Sequence, residues 1–161
     1  MLDRKVVELL NQQVNKEFYS AYLYLDMANY YDSLDLDGYA NYYMVQAQEE
    51  RDHALLFLQY LQNNGEKVTL EAIEKPAVEL TGNKQVLEEG LKHERYVTSL
   101  IHNIYDAAYS VRDFRTMQFL DWFVKEQLEE EESARDLITK YKLFANDGAG
   151  LYELNKELGK R

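Results

Sequence analysis

Helix-breaking residues are scarce in this chain, and where they fall leaves long helices as the dominant local structure. Proline occurs once, at Pro76, and five of the seven glycines, Gly38, Gly65, Gly82, Gly148 and Gly150, stand at breaks in the apolar periodicity. This predicts helices over about residues 4–33, 38–63, 83–110 and 113–143, and a short fifth helix over about 147–157. Asp35 or Asp37 is the expected cap of the second helix, Thr81 or Asn83 of the third and Asp147 of the fifth, and Asn63-Asn64-Gly65 is a helix stop. The break near Ser110–Asp113 has neither Gly nor Pro. Short turns make the first and second helices antiparallel, and likewise the third and fourth. The irregular stretch from Gly65 to Thr81, about 16–18 residues, is long enough to run the length of a bundle and make the second and third helices parallel. The expected fold class is all-α: one domain over 1–161, with a four-helix bundle at about 4–143, one long crossover and a short fifth helix.

Composition narrows the function. A net charge of -11 argues against nucleic acid as a partner and suits a protein that attracts cations, although it also serves solubility. With no cysteine, disulfides, zinc–thiolate sites and rubredoxin-type iron centres are excluded. Met1-Leu2-Asp3-Arg4-Lys5 resembles no signal peptide, and no stretch approaches the roughly 20 apolar residues of a membrane span, so a cytoplasmic protein with no membrane partner is expected. The 14 tyrosines favour an oligomer, because Tyr is apolar in body and polar at its tip.

Each long helix carries an apolar stripe with alternating steps of four and three, and each stripe is interrupted. The first reads Leu10, Val14, Glu17, Ala21, Tyr24, Ala28; the second reads Tyr43, Ala47, Glu50, Ala54, Phe57, Leu61. The third reads Leu87, Leu91, Glu94, Thr98, Ile101, Tyr105, Ala108, and the fourth Leu120, Phe123, Gln127, Glu130, Ala134, Leu137, Tyr141. Glu17 and Glu50 are 33 residues apart, as are Glu94 and Gln127, and each pair straddles a turn almost symmetrically. At roughly 1.5 Å rise per residue, all the interruptions fall at one height.

Buried carboxylates cost several kcal/mol each, and Glu17, Glu50, Glu94 and Glu130 converging on one level repel one another as well. No Lys or Arg of the stripes sits at that level. Either the carboxyls take up protons or a multivalent cation lies among them. His53, three residues after Glu50, shares its helix face. A Glu from each of two helices with Glu-x-x-His is the ligand set expected for a carboxylate-bridged di-iron centre, and oxygen donors with one imidazole suit iron or manganese. His93 and His102 fit no such spacing.

At these residues the sequence resembles the non-haem ferritins of bacteria and archaea, through Glu17 with Tyr24, Gln48-Glu49-Glu50-Arg51-Asp52-His53, Glu94, and Trp122-Phe123-Val124-Lys125-Glu126-Gln127-Leu128-Glu129-Glu130. The resemblance covers essentially the whole chain and implies a ferritin-like bundle, ferroxidase activity and iron storage in a homo-oligomeric 24-subunit shell. It implies Glu17, Glu50 and His53 as ligands of one iron. Glu50 would bridge to a second held by Glu94 and Glu130, with Gln127 beside it and Tyr24 as a hydrogen-bonding or electron-donating neighbour. A third iron site of Glu49, Glu126, Glu129 and Glu130 is implied too, with dioxygen or peroxide as oxidant. Bacterioferritins hold haem with a Met beside the bridging motif, whereas here Asp52 precedes His53, so no haem is expected. Helix four offers Gln127-x-x-Glu130 in place of a second Glu-x-x-His, which again resembles ferritins. Glu131 and Glu132 are expected on a solvated face, and Asp106, Asp113 and Asp121 are candidates for the entry channels. Two readings compete: a di-metal oxidase or peroxide reductase without storage, and a structural bundle with protonated core carboxyls. Starvation-type mini-ferritins lack the fourth-helix motif and the fifth helix.

Overall fold

A computed structural model describes residues 1–161 and shows five helices: α1 (Arg4–Ser33), α2 (Asp37–Asn63), α3 (Asn83–Ser110), α4 (Phe114–Phe144) and α5 (Gly148–Leu158). Asp3 caps α1 by accepting from the Lys5 and Val6 amides, Asp113 caps α4 through Thr116 N, and Asp147 caps α5 through Gly150 N. The expected caps of the second and third helices are corrected. Leu36 and Gly82 precede α2 and α3 with no side-chain cap, because Asp37 and Asn83 are already helical and Asp35 has turned away. No helix is long and apolar enough to cross a membrane.

Both tight turns are built alike. Asp35 (φ 57°) and Arg112 (φ 55°) adopt the left-handed conformation, the former between α1 and α2 and the latter between α3 and α4. Each lies 18 residues after a seam glutamate, Glu17 or Glu94, and 15 before the next seam residue, Glu50 or Gln127. The two hairpins therefore present their polar seam residues at one level in the same register. Contacts fix the directions. Tyr24 reaches Glu94 while Tyr31 reaches Asn83, so α1 and α3 are antiparallel; Gln46 reaches Glu130 while Tyr60 reaches Thr116, so α2 and α4 are as well. With α1 and α2 joined by a tight turn, α2 and α3 run parallel. The crossover is tied down along α1: Asn11 and Asn15 both donate to Thr69 O, they accept from the Thr69 and Glu71 amides in turn, and Tyr19 accepts from Ala77 N.

The core has two halves. At one end Val6, Leu10, Val14, Phe57, Leu61, Ile101, Ile104, Leu120 and Phe123 form an aliphatic and phenyl cluster. At the other, Tyr24, Tyr43, Tyr31 and Tyr39 stack in succession at ring separations of 5.7, 5.5 and 5.0 Å, packed with Met27, Leu87, Leu137 and Leu154. Tyr105, expected in the third stripe, lies at its edge with its hydroxyl on Asp121, and Ile104 fills the interior instead. Helix α5 docks on the start of α2, where Asn155 Oδ1 accepts from the Gly38 and Tyr39 amides. A Cβ at Gly38 would run into the Asn155 carbonyl, so only glycine allows that approach.

Candidate metal centre

Between the two core halves lie Glu17, Glu50, His53, Glu94, Gln127 and Glu130, all buried. Their ligand atoms gather into overlapping groups in which every atom is within 4.8 Å of the others: Glu17, Glu50 and His53; Glu50, Glu94 and Glu130; and His53, Glu126 and Glu130. Glu50 belongs to the first two and so stands between two adjacent positions. The third group joins Glu126 to His53 and Glu130. Glu129 is exposed, while Glu49, half-buried, is engaged by Arg161 instead.

Neighbouring donors orient the carboxylates. Gln13 Nε2 donates to Glu17 Oε1 at 2.8 Å, and Gln46 Nε2 donates to Glu50 Oε1 at 3.0 Å and to Glu130 Oε2 at 2.7 Å. Tyr24 donates to Glu94 Oε1, and Gln127 Nε2 donates to Glu94 Oε2 and to the Glu94 carbonyl, both at 3.1 Å. His53 Nδ1 lies 3.1 Å from Glu50 Oε2, and the ring edges of Trp122 and Phe123 enclose it. Glu17 Oε2 is buried and has no hydrogen-bond donor at all. A lone pair in that situation needs a proton or a cation.

The electrostatics agree. Burial, then the charge of Glu50, pushes Glu17 well above the ordinary carboxyl range; burial, Glu50 and Glu130 do the same to Glu94. Burial and Glu50 push Glu130 up to about 7. Glu50 is the anion of the set: burial would raise it, but the hydrogen bond and charge of His53, with help from Glu17 and Gln46, hold it below its ordinary value. Burial would lower His53, yet Glu50 raises it. Metal-free, burial and the Glu50 anion therefore favour protons on Glu17, Glu94 and Glu130, which a cation would replace.

Several residues escaped the sequence reading. Gln13 and Gln46 each precede a seam glutamate by four residues, and that repeated spacing was a usable signal. His93 is not an ordinary surface histidine: its Nε2 lies 2.7 Å from Ser20 Oγ and its ring meets Tyr24 edge-on, while burial pushes it down to about 4, leaving it neutral. Glu131, expected in solvent, is half-buried and accepts from Thr98 Oγ1 at 2.8 Å. Asp113 caps α4, accepting from the Thr116 amide and hydroxyl on its two oxygens. Asp106 and Asp121 line a surface depression with His102 and Tyr105.

A four-helix bundle enclosing two adjoining carboxylate positions that share Glu50, one of them completed by a histidine, defines a di-metal carboxylate protein. Comparisons with known proteins carry this to a family. The Ferritin-like domain of the Ferritin family matches residues 7–144. The chain is 38% identical to a probable bacterial non-heme ferritin-like protein of Haemophilus influenzae over 99% of this chain and 96% of that one. It is 37% identical to a bacterial non-heme ferritin of Staphylococcus saprophyticus over 100% and 96% of the two chains. Among solved structures, an engineered closed form of the Archaeoglobus fulgidus ferritin superposes with a TM-score of 0.97 at 43% identity, covering 100% of this chain and 98% of that one. An open-pore ferritin from the same archaeon gives 0.96 at 43% identity over 99% and 98%. The chain belongs to the ferritin family, as a non-haem ferritin of the bacterial and archaeal kind.

Proposed function

We propose that this single-domain chain is a cytoplasmic ferroxidase that stores the iron it oxidises inside a shell of 24 copies. One observation carries the reading: Glu50 is shared by two buried ligand groups, so two iron(II) ions bind side by side with a common carboxylate. Glu17, Glu50 and His53 hold one ion, and Glu50, Glu94 and Glu130 hold the other. Gln127 and Tyr24 position Glu94 from opposite oxygens, and Gln46 spans the two sites by gripping Glu50 and Glu130. Each iron(II) gives up one electron. Dioxygen takes two electrons and two protons and leaves as hydrogen peroxide; with peroxide as oxidant, two electrons and two protons give water. Hard carboxylate oxygens bind iron(III) more strongly than iron(II) and favour the oxidation.

A third ion binds beside the pair at Glu49, Glu126, Glu129 and Glu130, and the product passes this way to the mineral. Supporting this, Glu126 lies among His53, Glu129, Glu49 and Glu50, and burial followed by the acidic neighbours raises its carboxyl against the pull of His53. Asp106, Asp121 and His102 supply part of the entry route. The shell is supported by full-length similarity to the Archaeoglobus ferritin, and by the apolar depression that Phe18, Tyr22, Leu25 and Met44 form on the outer face of α1 and α2. Packing of subunits covers such a surface.

The test is aerobic addition of iron(II) to purified protein, following iron(III) by absorbance. Glu50→Ala combined with His53→Ala is expected to slow the fast phase at least about 100-fold, since losing residues that merely orient ligands already costs 10–100-fold. An unchanged fast phase places catalysis elsewhere. Particle mass by size-exclusion with light scattering separates a storage shell from a dimeric oxidase.

A further inference from the structure

Just beyond α5 the chain returns to the metal centre, where it places a cation of its own. Arg161 Nη2 donates to Glu49 Oε2 at 2.8 Å, and Nη1 donates to Gln46 Oε1 at 3.0 Å and to the Tyr42 carbonyl at 3.1 Å. The guanidinium carbon sits over the Tyr42 ring, 4.3 Å from its centroid, and the side chain is only 26% exposed. These four contacts use both arms of the planar group at once, a grip that lysine cannot reproduce. Gln46 is the same amide whose nitrogen holds Glu50 and Glu130. With its oxygen taken by Arg161, the nitrogen must face the carboxylates, so the arginine fixes which way Gln46 points.

We propose that Arg161 is a built-in counter-cation for the outer carboxylates, holding Glu49 until a third metal ion arrives and competing with that ion for it. The inference rests on the third site described above and adds its regulation. Glu49 is the one carboxylate of that site with a protein cation bound to it, and a metal ion would draw on the same negative charge. The competition keeps third-ion affinity below that of the inner pair. Iron then occupies the outer position when the inner two are filled and product must move outward, and it leaves because the guanidinium can return. Arg161 is a positioning residue: it acts through Glu49 and Gln46.

The test is calorimetric titration of the chelator-stripped assembled protein with zinc(II), a redox-silent probe, together with anomalous diffraction from zinc-loaded crystals. Wild type is expected to bind two ions tightly and a third more weakly. Arg161→Ala should tighten the third by about fivefold, the scale of losing a half-exposed ion pair. Arg161→Lys should fall between the two. On a Glu49→Gln background, removing the arginine should no longer tighten the third ion. In zinc-loaded wild-type crystals the guanidinium should have left Glu49. Equal or weaker third-ion binding in Arg161→Ala overturns the proposal, as does a lowered melting temperature with no change in affinity, which marks a structural role. A third ion absent from both wild type and Arg161→Ala overturns it together with the third site on which it rests.

Discussion

Loading the centre with a divalent cation must expel protons, and the number expelled depends on pH in a way the structure specifies. Glu130 is the clearest contributor, raised from 4.5 to about 7 by burial and by Glu50. It holds a proton in about nine molecules in ten at pH 6, half at pH 7 and one in ten at pH 8, and none once a cation is coordinated. The sign follows from the raised value: below about pH 7 a proton must leave before metal enters, so this group alone weakens binding roughly tenfold per pH unit there and not above. His53, raised by Glu50 against its burial, adds release in the same direction. By the same linkage the metal-free fold loses stability as pH rises from 4.5 to about 7, on the order of 3 kcal/mol from Glu130 at roughly 1.4 kcal/mol per pH unit. The assay is zinc(II) calorimetry in pairs of buffers with different protonation enthalpies. Wild type should release about 0.8 fewer protons from Glu130 at pH 8 than at pH 6, and Glu130→Gln should lose that increment. A difference between wild type and Glu130→Gln that stays flat over this range, or grows with pH, would refute the assignment of the proton to Glu130.

Two further outcomes are expected. Glu17→Gln keeps an acceptor for Gln13 and gives the donorless side of the carboxyl an amide, so it should stabilise the chelator-treated protein by about 1 kcal/mol in guanidinium denaturation while weakening metal binding at least tenfold; lower metal-free stability would contradict the desolvation account. Gly38→Ala should detach α5, because its Cβ meets the Asn155 carbonyl, and hydrogen exchange should rise in 148–158 while the α1–α4 amides stay protected; undisturbed protection of α5 would show that the close approach is not required.

Much of this was legible in the sequence for one physical reason: a carboxylate in an apolar stripe is costly, so Glu17, Glu50, Glu94 and Glu130 announced themselves. Helix limits followed equally well from the placement of Gly and Pro, within a residue or two at every end. The break with no such marker was also placed correctly, although its device, a left-handed Arg112, carries no compositional signature. What stayed hidden depends on contacts between distant segments. Arg161 belongs to no periodic pattern and meets Glu49 only because α5 docks at Gly38. His93 lies one residue from a seam position, and only packing shows that its ring turns inward against Tyr24. The capping role of Asp113 was equally hidden, because residue type alone cannot separate a free acid from one that caps a helix.

The division of the interior into a phenyl-and-aliphatic half and a tyrosine half has an effect on traffic. Both ends of the bundle axis are sealed by close-packed side chains with no charged group between them and the centre. Neither plug offers an ion a ligand along the axis. The acidic margin lies to the side instead, between α2 and α4, where Glu126 and Glu49 stand beside His53 and Glu130. The hydrophobic packing that stabilises the bundle thus leaves the charged margin of the centre on its flank.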